Sequence, residues 1–349
     1  MRPISAVDSV SLAVQRTKDF LFRPFSWGTY LKLGLVAIIT EGIGSNSGHS
    51  NHGGVPPGHG PMINSPFDIP PVWIAAIVAA VLAVILLTMV IFYLVTRLRF
   101  AFFHCLVHNI KEIGPGWRLY RAQATRFFWL NLGVGFCYLL LMGLIALPFV
   151  AGFIRLFHET PPGGTPDLGL MLSLVLPLIP VILLLVLVGI ALDVILRDWM
   201  LPHYALEDAT AGEAWEEVWS SITAEKREFA VYALLRLILP VVAMIGLFIV
   251  LLIPGLMVAG AIGALVYGIH SAFANATGAG ALIGILLQVF FGAVAVGYAL
   301  LAGICLGGPL STGVREYALT FYGGRYQTLG NLLYPPAGSP REAGTYQGL

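Results

Sequence analysis

The sequence predicts an all-α fold, a polytopic membrane helix bundle with six transmembrane helices. Hydrophobic residues make up 58% of the chain and charged residues only 11%, whereas a soluble domain has about 25% charged residues. The apolar residues form long runs, most of which reach the about 20 residues that cross a bilayer. Since a span must satisfy its own backbone hydrogen bonds in lipid, each run is expected to be helical. The predicted spans lie near residues 27–44, 72–96, 127–155, 170–195, 229–252 and 281–306.

The basic residues indicate which side of the membrane each connection faces. All but three of the 19 Lys and Arg residues lie before the first run, in alternate connections, or after the last run. The connections at 44–71, 156–169 and 271–280 contain none. Because basic residues in short loops stay on the cytoplasmic side, both termini are expected inside. The net charge of +1 gives no general attraction to nucleic acid, so the expected partners are membrane lipids and other membrane proteins.

Two of the runs leave alternatives open. The first crosses the membrane only if Lys32 reaches back to the inner surface and Glu41 reaches the outer headgroups. Otherwise this segment is re-entrant or interfacial. The stretch 229–270 is too long for one span and short for two, and Pro254 with the following glycine divides it. A separate span there would place the basic tail outside, so the charge pattern favours an outer extension at 255–270.

Three amphipathic segments precede the first, third and fifth spans, and each is expected to be an interfacial helix. Apolar side chains recur at helical spacing in all three. They are Val7, Val10, Val14 and Leu21; Trp117, Tyr120 and Ala124; and Trp215, Val218, Trp219 and Ile222. Two arrangements fit such stripes, since the helices either lie in the inner membrane interface or pack on the cytoplasmic end of the bundle.

The second and third units of the chain match without gaps. Leu98, Arg99, Gly114 and Trp117 align with Leu196, Arg197, Gly212 and Trp215, at an offset of 98 residues. Hydropathy keeps the same order in both, so we infer tandem parallel repeats, each an interfacial helix followed by a transmembrane hairpin. The predicted organisation is one membrane domain over 1–325, with repeat units at about 6–98, 112–197 and 211–320, and a flexible cytoplasmic tail over 326–349.

The two long inner connections differ in charge. Residues 97–126 have six basic groups and one acid, whereas residues 197–228 have three basic groups and eight acids. The two connections are therefore able to dock on each other at the cytoplasmic face. The alternative is two independent solvated faces, because exposed ion pairs contribute only about 0–1 kcal/mol each.

The ionisable residues inside the predicted spans are candidate functional groups. They are Lys32, Glu41, Asp193 and Arg236. Asp193 and Arg197 are one helical turn apart at the inner end of the fourth span, and Arg236 lies about two turns into the fifth. Arg236 is expected to anchor at the inner surface or to pair with Asp193, and the alternative is a polar path through the membrane.

Histidine and acidic residues form sparse metal-ligand patterns at the span exits. His104 and His108 are spaced i, i+4, as are His203 and Glu207, and this spacing puts both members of a pair on one helix face. Histidine is also ordinary at a membrane interface. We therefore predict no metal, no other cofactor and no catalytic residue.

A Gly/Pro-rich outer connection carries three more histidines, His49, His52 and His59. It is expected to be either a polar linker or a weak external metal site. Small residues inside the spans are assigned to close helix packing. They include Gly133, Gly135, Gly260 and Gly263, together with Cys105, Cys137 and Cys305.

Two short motifs resemble an uncharacterised family of bacterial membrane proteins. One is Leu21-Phe-Arg-Pro-Phe25 leading into Trp27-Gly-Thr-Tyr-Leu-Lys-Leu-Gly34, and the other is Pro202-His-Tyr-Ala-Leu-Glu-Asp208. They are also similar to the membrane domain attached to some glycerophosphodiester phosphodiesterases. The resemblance implies a bacterial cytoplasmic membrane and lends no catalytic residue, because the soluble phosphodiesterase domain is not expected in this chain.

The favoured function is a non-enzymatic organising, assembly or accessory role in the membrane. One alternative is a transporter or channel for a small solute or lipid, with a polar path near Asp193 and Arg236. A weaker alternative is an interfacial metalloenzyme that uses the histidines and Glu207 at the span exits. A path requires a water-filled cavity, an enzyme requires converging ligands, and an assembly role leaves an apolar flank exposed.

Overall fold

The computed structural model describes residues 4–45, 71–159, 168–274 and 277–334, and all regular structure in these ranges is helical. The helices are α1 Asp8–Phe22, α2 Trp27–Ser45, α3 Pro71–His108, α4 Ile113–Leu119, α5 Arg121–Glu159, α6 Leu168–Val194, α7 Leu201–Leu206, α8 Ala211–Ala224, α9 Lys226–Phe273, α10 Ala279–Gly323 and α11 Gln327–Leu333. A π-helical segment, Ile195–Met200, joins α6 directly to α7. The predicted all-α class is confirmed for the described part of the chain.

Five of the described helices are long and apolar enough to cross a membrane: α3, α5, α6 with its continuation through α7, α9 and α10. They are consistent with a multi-pass membrane protein. The first predicted span forms α2, which is not among the five; its interior carries Lys32 and Glu41. Helix α9 continues through Pro240 and Pro254. The predicted division of this stretch at Pro254 is therefore wrong, since a long apolar helix tolerates proline where surrounding groups satisfy the freed carbonyl.

The chain divides into two compact units. The first contains Met1–Gly42, Leu106–Lys111 and Ser220–Leu349, and the second contains Ile43–Cys105 and Glu112–Trp219. In each unit the buried side chains lie near the inner ends of the predicted spans, whereas the central stretches of the spans expose apolar side chains. The core of each unit is thus formed by helix ends and short helices.

In the first unit, α1 lies antiparallel along the C-terminal half of α10. The Thr320 hydroxyl donates to the Ser9 carbonyl at 3.3 Å, and Arg16 contacts Glu316 one turn earlier on α10. The side chains that α1 buries are Ser9, Ala13, Thr17, Phe20 and Leu21. Val7 and Val14 are exposed, so the predicted valine stripe is not the packed face. Ser9, Ala13 and Thr17 of that face are small residues, which let two helices approach closely.

Aromatic rings join α9 to α10 in the same layer. The ring of Tyr232 stacks on Tyr317 and Phe321, with centroids 5.0 and 4.4 Å apart, and Phe229 meets Phe321 edge-on at 5.3 Å. All four side chains are buried. Offset and edge-on ring pairs of this kind contribute about 0.5–1.5 kcal/mol each beyond the area they bury.

The predicted tail begins with a packed helix. Leu329 and Leu333 of α11 are buried, and Leu333 lies against Gly323 at the end of α10. The i, i+4 spacing of these leucines is a helical pattern that the sequence analysis overlooked. The prediction of a flexible tail is wrong for Gln327–Leu333, and residues 335–349 lie outside the described residues.

Helix α2 crosses α10 at two glycines. A Cβ atom added to Gly308 would lie 2.6 Å from the Cα atom of Gly34, so the two backbones touch. Tyr30 and Ile38, two turns apart on α2, both reach residues within one turn of Gly308. The helices therefore cross instead of running side by side.

The glycines that the sequence analysis selected do not pack in this way. Among the described residues, a Cβ atom at Gly133, Gly135, Gly260 or Gly263 would have no heavy atom within 4 Å. The prediction of close packing at these positions is wrong for this part of the chain, because small size permits a close approach but does not create one. Among the cysteines, Cys105 is buried, Cys305 is half-buried and Cys137 is exposed.

In the second unit, Phe100 of α3 lies at the centre of the buried layer. Its ring centroid is 6.0 Å from Tyr120 and 5.5 Å from Phe127, and Phe127 in turn meets Tyr204 of α7 at 5.2 Å. The predicted stripe of Trp117, Tyr120 and Ala124 is divided between two helices, since α4 ends at Leu119 and α5 begins at Arg121. Tyr120 and Ala124 are nevertheless buried, as a packed stripe requires.

Helix α8 buries Val218 of the predicted stripe but not its tryptophans. Ala214 and Val218 are buried, whereas Trp215 and Trp219 are exposed and stack on each other with centroids 5.8 Å apart. Exposed tryptophans on a short helix favour the interfacial arrangement, because their amphipathic rings suit the headgroup region.

The two long connections of opposite charge contact each other. Arg126, from the basic connection, pairs with Asp208, from the acidic one. Both side chains are exposed, so this pair contributes little stability. It shows that the two connections meet on one face of the second unit.

Candidate metal-ligating cluster and buried ion pairs

A histidine and two glutamates converge at the end of α7. His203 and Glu207 are one turn apart, and the Nδ1 atom of His203 lies 3.6 Å from Oε2 of Glu207. Glu217 of α8 completes the group, in which one ligand atom from each residue lies within 4.8 Å of the others. The imidazole is buried with 1% of the side chain exposed, whereas both carboxylates are exposed. The group therefore has a fixed nitrogen donor and two accessible oxygen donors.

The turn after α7 directs α8 back towards His203. The backbone N–H groups of Glu207 and Ala209 both donate to the His203 carbonyl, at 3.0 and 3.4 Å. Asp208 follows α7 in the left-handed region, with φ of 55°. Aspartate tolerates this conformation better than most residues, so the chain reverses here without a glycine.

A capping box starts α8. Glu213 accepts hydrogen bonds from the backbone N–H and the hydroxyl of Thr210, at 2.8 and 2.9 Å, and the Glu213 N–H points back to that hydroxyl. These two bonds, led by the backbone one, hold the pKa of Glu213 below its usual range. Such boxes satisfy N–H groups at a helix start that would otherwise lack partners. With this start fixed, Glu217 lies one turn further on, beside His203.

The predicted four-residue set is only partly brought together. His203 and Glu207 belong to the cluster, but among the described residues the group includes neither His104 nor His108. His104 is buried against Tyr120, whose hydroxyl lies 3.5 Å from the His104 Nδ1 atom. Sequence reasoning missed Glu217, which lies on α8. No local pattern indicates it, because its proximity to His203 depends on the turn between the helices.

Arg236 has a buried partner that the sequence analysis did not identify. Its guanidinium donates to Glu41 Oε2 at 3.1 Å, and the two side chains are only 12% and 8% exposed. A crossing by the first run required Glu41 to reach the outer headgroups, and the alternative was a re-entrant or interfacial segment. In the structure, Glu41 lies one turn before the end of α2 and contacts Arg236 of α9. Lys32, the other ionisable residue inside α2, is exposed.

Asp193 pairs within its own helix. Its carboxylate accepts a hydrogen bond from Arg197 at 3.2 Å, and Arg197 is buried with 2% of its side chain exposed. The i, i+4 proximity predicted for these two residues is confirmed. Asp193 and Arg236 belong to different compact units, and a pair between them stays a prediction.

Two further arginines that the sequence analysis did not single out hold the chain ends of the first unit. Arg16 donates to Glu316 at 2.8 Å, and its other nitrogens reach the carbonyls of Leu106 and Leu333. Arg325 donates to Glu225 at 2.6 Å and to the Ile4 carbonyl at 3.0 Å. Arg16 thus links α1 to three other segments and Arg325 links the end of α10 to two, which the five N–H donors of a guanidinium allow.

An apolar groove of about 540 Å³ opens between α5 and α6. Trp129, Cys137 and Tyr138 form one wall, and Val188 and Leu192 form the other. The Tyr138 hydroxyl donates to the Leu185 carbonyl at 2.7 Å, which satisfies the polar end of that ring. The chemistry of this groove suits an apolar side chain or acyl chain and not a polar solute.

Comparisons with known proteins identify a family of unknown function and go no further. No curated protein and no solved structure matches the chain. The predicted relationship to phosphodiesterase membrane domains and the bacterial origin therefore stay predictions. A model of a family of unknown function matches residues 4–332, nearly the whole chain. The chain belongs to this family of unknown function, DUF7544.

Proposed function

We propose that the protein is a non-enzymatic organiser of a membrane assembly and that the outer half of α3 receives a transmembrane helix of a partner protein. Every residue from Trp73 to Ile91 is exposed, over about five helical turns. This single observation carries the proposal. A helix that is apolar all round needs lipid or other helices around it.

A stripe of alanines favours a helix over lipid as the neighbour of α3. Ala75, Ala79 and Ala83 recur every fourth residue on one exposed face. Lipid tails are as apolar as leucine, so helix association in a membrane depends on close packing at small residues. The other long helices already have neighbours in their own chain. Tyr138 of α5 bonds to α6, and Phe273 at the end of α9 lies against Gly284 of α10.

The orientation that we propose has both termini on the cytoplasmic side of a bacterial inner membrane. The basic residues support it through their alternation along the chain. The five long helices from α3 to α10 make an odd number of crossings, and α1 packs on the inner half of α10. If both termini lie on the same side, the chain needs a sixth crossing between α1 and α3. Helix α2 is the described helix in that interval, and we propose that it makes this crossing.

The tandem repeat is also part of the proposal. Arg99 and Arg197, which the 98-residue offset pairs, are both buried. Each arginine lies nine residues before the end of its helix, since α3 ends at His108 and α7 ends at Leu206. A residue with positive φ follows each end, Asn109 directly after α3 and Asp208 two residues after α7.

A transport role has less support than assembly. It requires charges that face a polar cavity, whereas Asp193 pairs with Arg197 and Glu41 with Arg236. The groove between α5 and α6 is apolar. We therefore propose neither a transport path nor an enzymatic activity.

Site-specific crosslinking tests the proposal in membranes. A photoreactive residue at Leu86, two turns beyond Ala79 on the same face, is expected to form an adduct with a distinct protein after mild detergent extraction. The same probe at Ser11, exposed on α1, is expected to give no such adduct. Adding Ala79→Leu should abolish the adduct, whereas Val81→Leu on the opposite face should preserve it. Lipid adducts alone at position 86 would overturn the partner role.

A further inference from the structure

We propose that His203, Glu207 and Glu217 bind one divalent transition-metal ion of the zinc type, which fastens α8 to α7. This inference is independent of the proposed assembly role and concerns a structural ion, not a catalytic one. The ligands come from two helices that a short turn connects. No single helix carries the whole set, so the ion would act as a cross-link between them.

The donor set fits such an ion. One imidazole nitrogen with two carboxylate oxygens is a ligand combination that zinc uses in proteins, with a water molecule in the fourth position. In a tetrahedral site, ligands bound at about 2.0–2.2 Å lie about 3.3–3.6 Å apart. The three atoms here lie within 4.8 Å of one another, so the exposed carboxylates need to move by up to about 1.5 Å to bind one ion.

The burial of the three residues is also suitable. His203 is held in the buried layer, where Tyr204 beside it packs on Phe127. Its ring is therefore oriented before any ion arrives, and this lowers the ordering cost of binding. Glu207 and Glu217 face solvent, which gives an ion and its water access to the site.

Electrostatics favour a cation at this position. Glu207 and Glu217 are acidic side chains whose oxygen atoms lie within 4.8 Å of each other. Like charges at this distance are unfavourable, and a bound cation replaces the repulsion with attraction. The neighbouring acids are engaged elsewhere: Asp208 pairs with Arg126, and Glu213 bonds to Thr210.

The ion would stabilise a helix with few apolar anchors. Ala214 and Val218 are the side chains of α8 that are buried, and Trp215 and Trp219 are exposed. A metal bridge from Glu217 to α7 would therefore set how firmly this Trp-bearing helix is held on the second unit.

Zinc binding to the purified full chain, prepared without a His tag, tests the proposal. The background carries His49→Asn, His52→Asn and His59→Asn, which removes the histidines of the outer connection. Equilibrium dialysis against micromolar free Zn²⁺, followed by elemental analysis, is expected to give about one ion per chain. Glu217→Gln should weaken binding by at least about tenfold, since even residues that only support a ligand contribute 10–100-fold.

The matched control is Glu216→Gln, which removes the adjacent exposed carboxylate of α8 and should leave zinc binding unchanged. Thermal unfolding in detergent provides a second readout, because Zn²⁺ should raise the Tm of the Glu216→Gln protein and not that of Glu217→Gln. Equal zinc binding by the two variants would overturn the site. So would the absence of stoichiometric binding in the control background.

Discussion

Arg236 of α9 and Glu41 of α2 form a buried ion pair, with 3.1 Å between the guanidinium nitrogen and the carboxylate oxygen. We expect either single change, Arg236→Ala or Glu41→Ala, to destabilise the protein by about 3–5 kcal/mol, because each leaves the other charge buried without its partner. The double change should cost less than the sum of the singles. Thermal unfolding in detergent measures this cycle, and additive effects would show that the pair contributes no coupling.

The same cycle with Asp193→Ala tests the second predicted partner of Arg236. We expect Asp193→Ala and Arg236→Ala to be non-additive if the predicted pair forms. Asp193 also bonds to Arg197, so Asp193→Asn serves as a milder variant that keeps a hydrogen-bond acceptor. Strict additivity in both versions would remove Asp193 from the environment of Arg236.

The side of the membrane on which each connection lies is measurable by cysteine labelling. In a background without Cys105, Cys137 and Cys305, we expect an impermeant thiol reagent to label Gly163→Cys and Asn275→Cys from outside. Ser50→Cys decides the role of α2, since external labelling indicates a sixth crossing and protection indicates an interfacial helix. Ser339→Cys should be protected, because the tail is expected on the cytoplasmic side. Position 339 is chosen because it follows α11, in which Gly330 is buried. External labelling at 339 would exclude cytoplasmic termini.

The crossing of α2 and α10 depends on the absence of a side chain at Gly308. A Cβ atom there would lie 2.6 Å from the Cα atom of Gly34. Gly308→Ala should therefore lower stability by about 1–3 kcal/mol, as overpacking does in well-packed cores. Gly133→Ala is the control, since its Cβ atom meets nothing within 4 Å and alanine stabilises a helix by about 0.5–1 kcal/mol relative to glycine. Opposite shifts in Tm are the expected result.

No catalytic metal is expected in this protein. A chelator wash of the chain without a His tag should leave well under one metal ion per chain, because the exposed carboxylates of Glu207 and Glu217 release an exchangeable ion. Elemental analysis provides the measurement. Zinc or iron that survives the wash at one ion per chain, and that is lost in His203→Ala, would instead support the metalloenzyme alternative.

Local patterns account for the parts of the candidate site that the sequence predicted. Asp193 with Arg197, and His203 with Glu207, are one turn apart, and a helix places such residues on the same face wherever it lies. The apolar runs likewise predict their own helices. A local pattern does not decide which face of a helix is packed. The valines of α1 form a regular stripe, and yet Val7 and Val14 are exposed.

The sequence by itself determined that this chain is helical and that it contains long apolar helices, because both properties follow from composition and period along one segment. Only the tertiary structure decided that Glu41 pairs with Arg236, that Glu217 lies beside His203, and that α2 crosses α10 at Gly34 and Gly308. Each of these contacts joins two helices. Which helices become neighbours depends on turns and crossings, and a segment's own hydropathy has no information about the segment that packs on it.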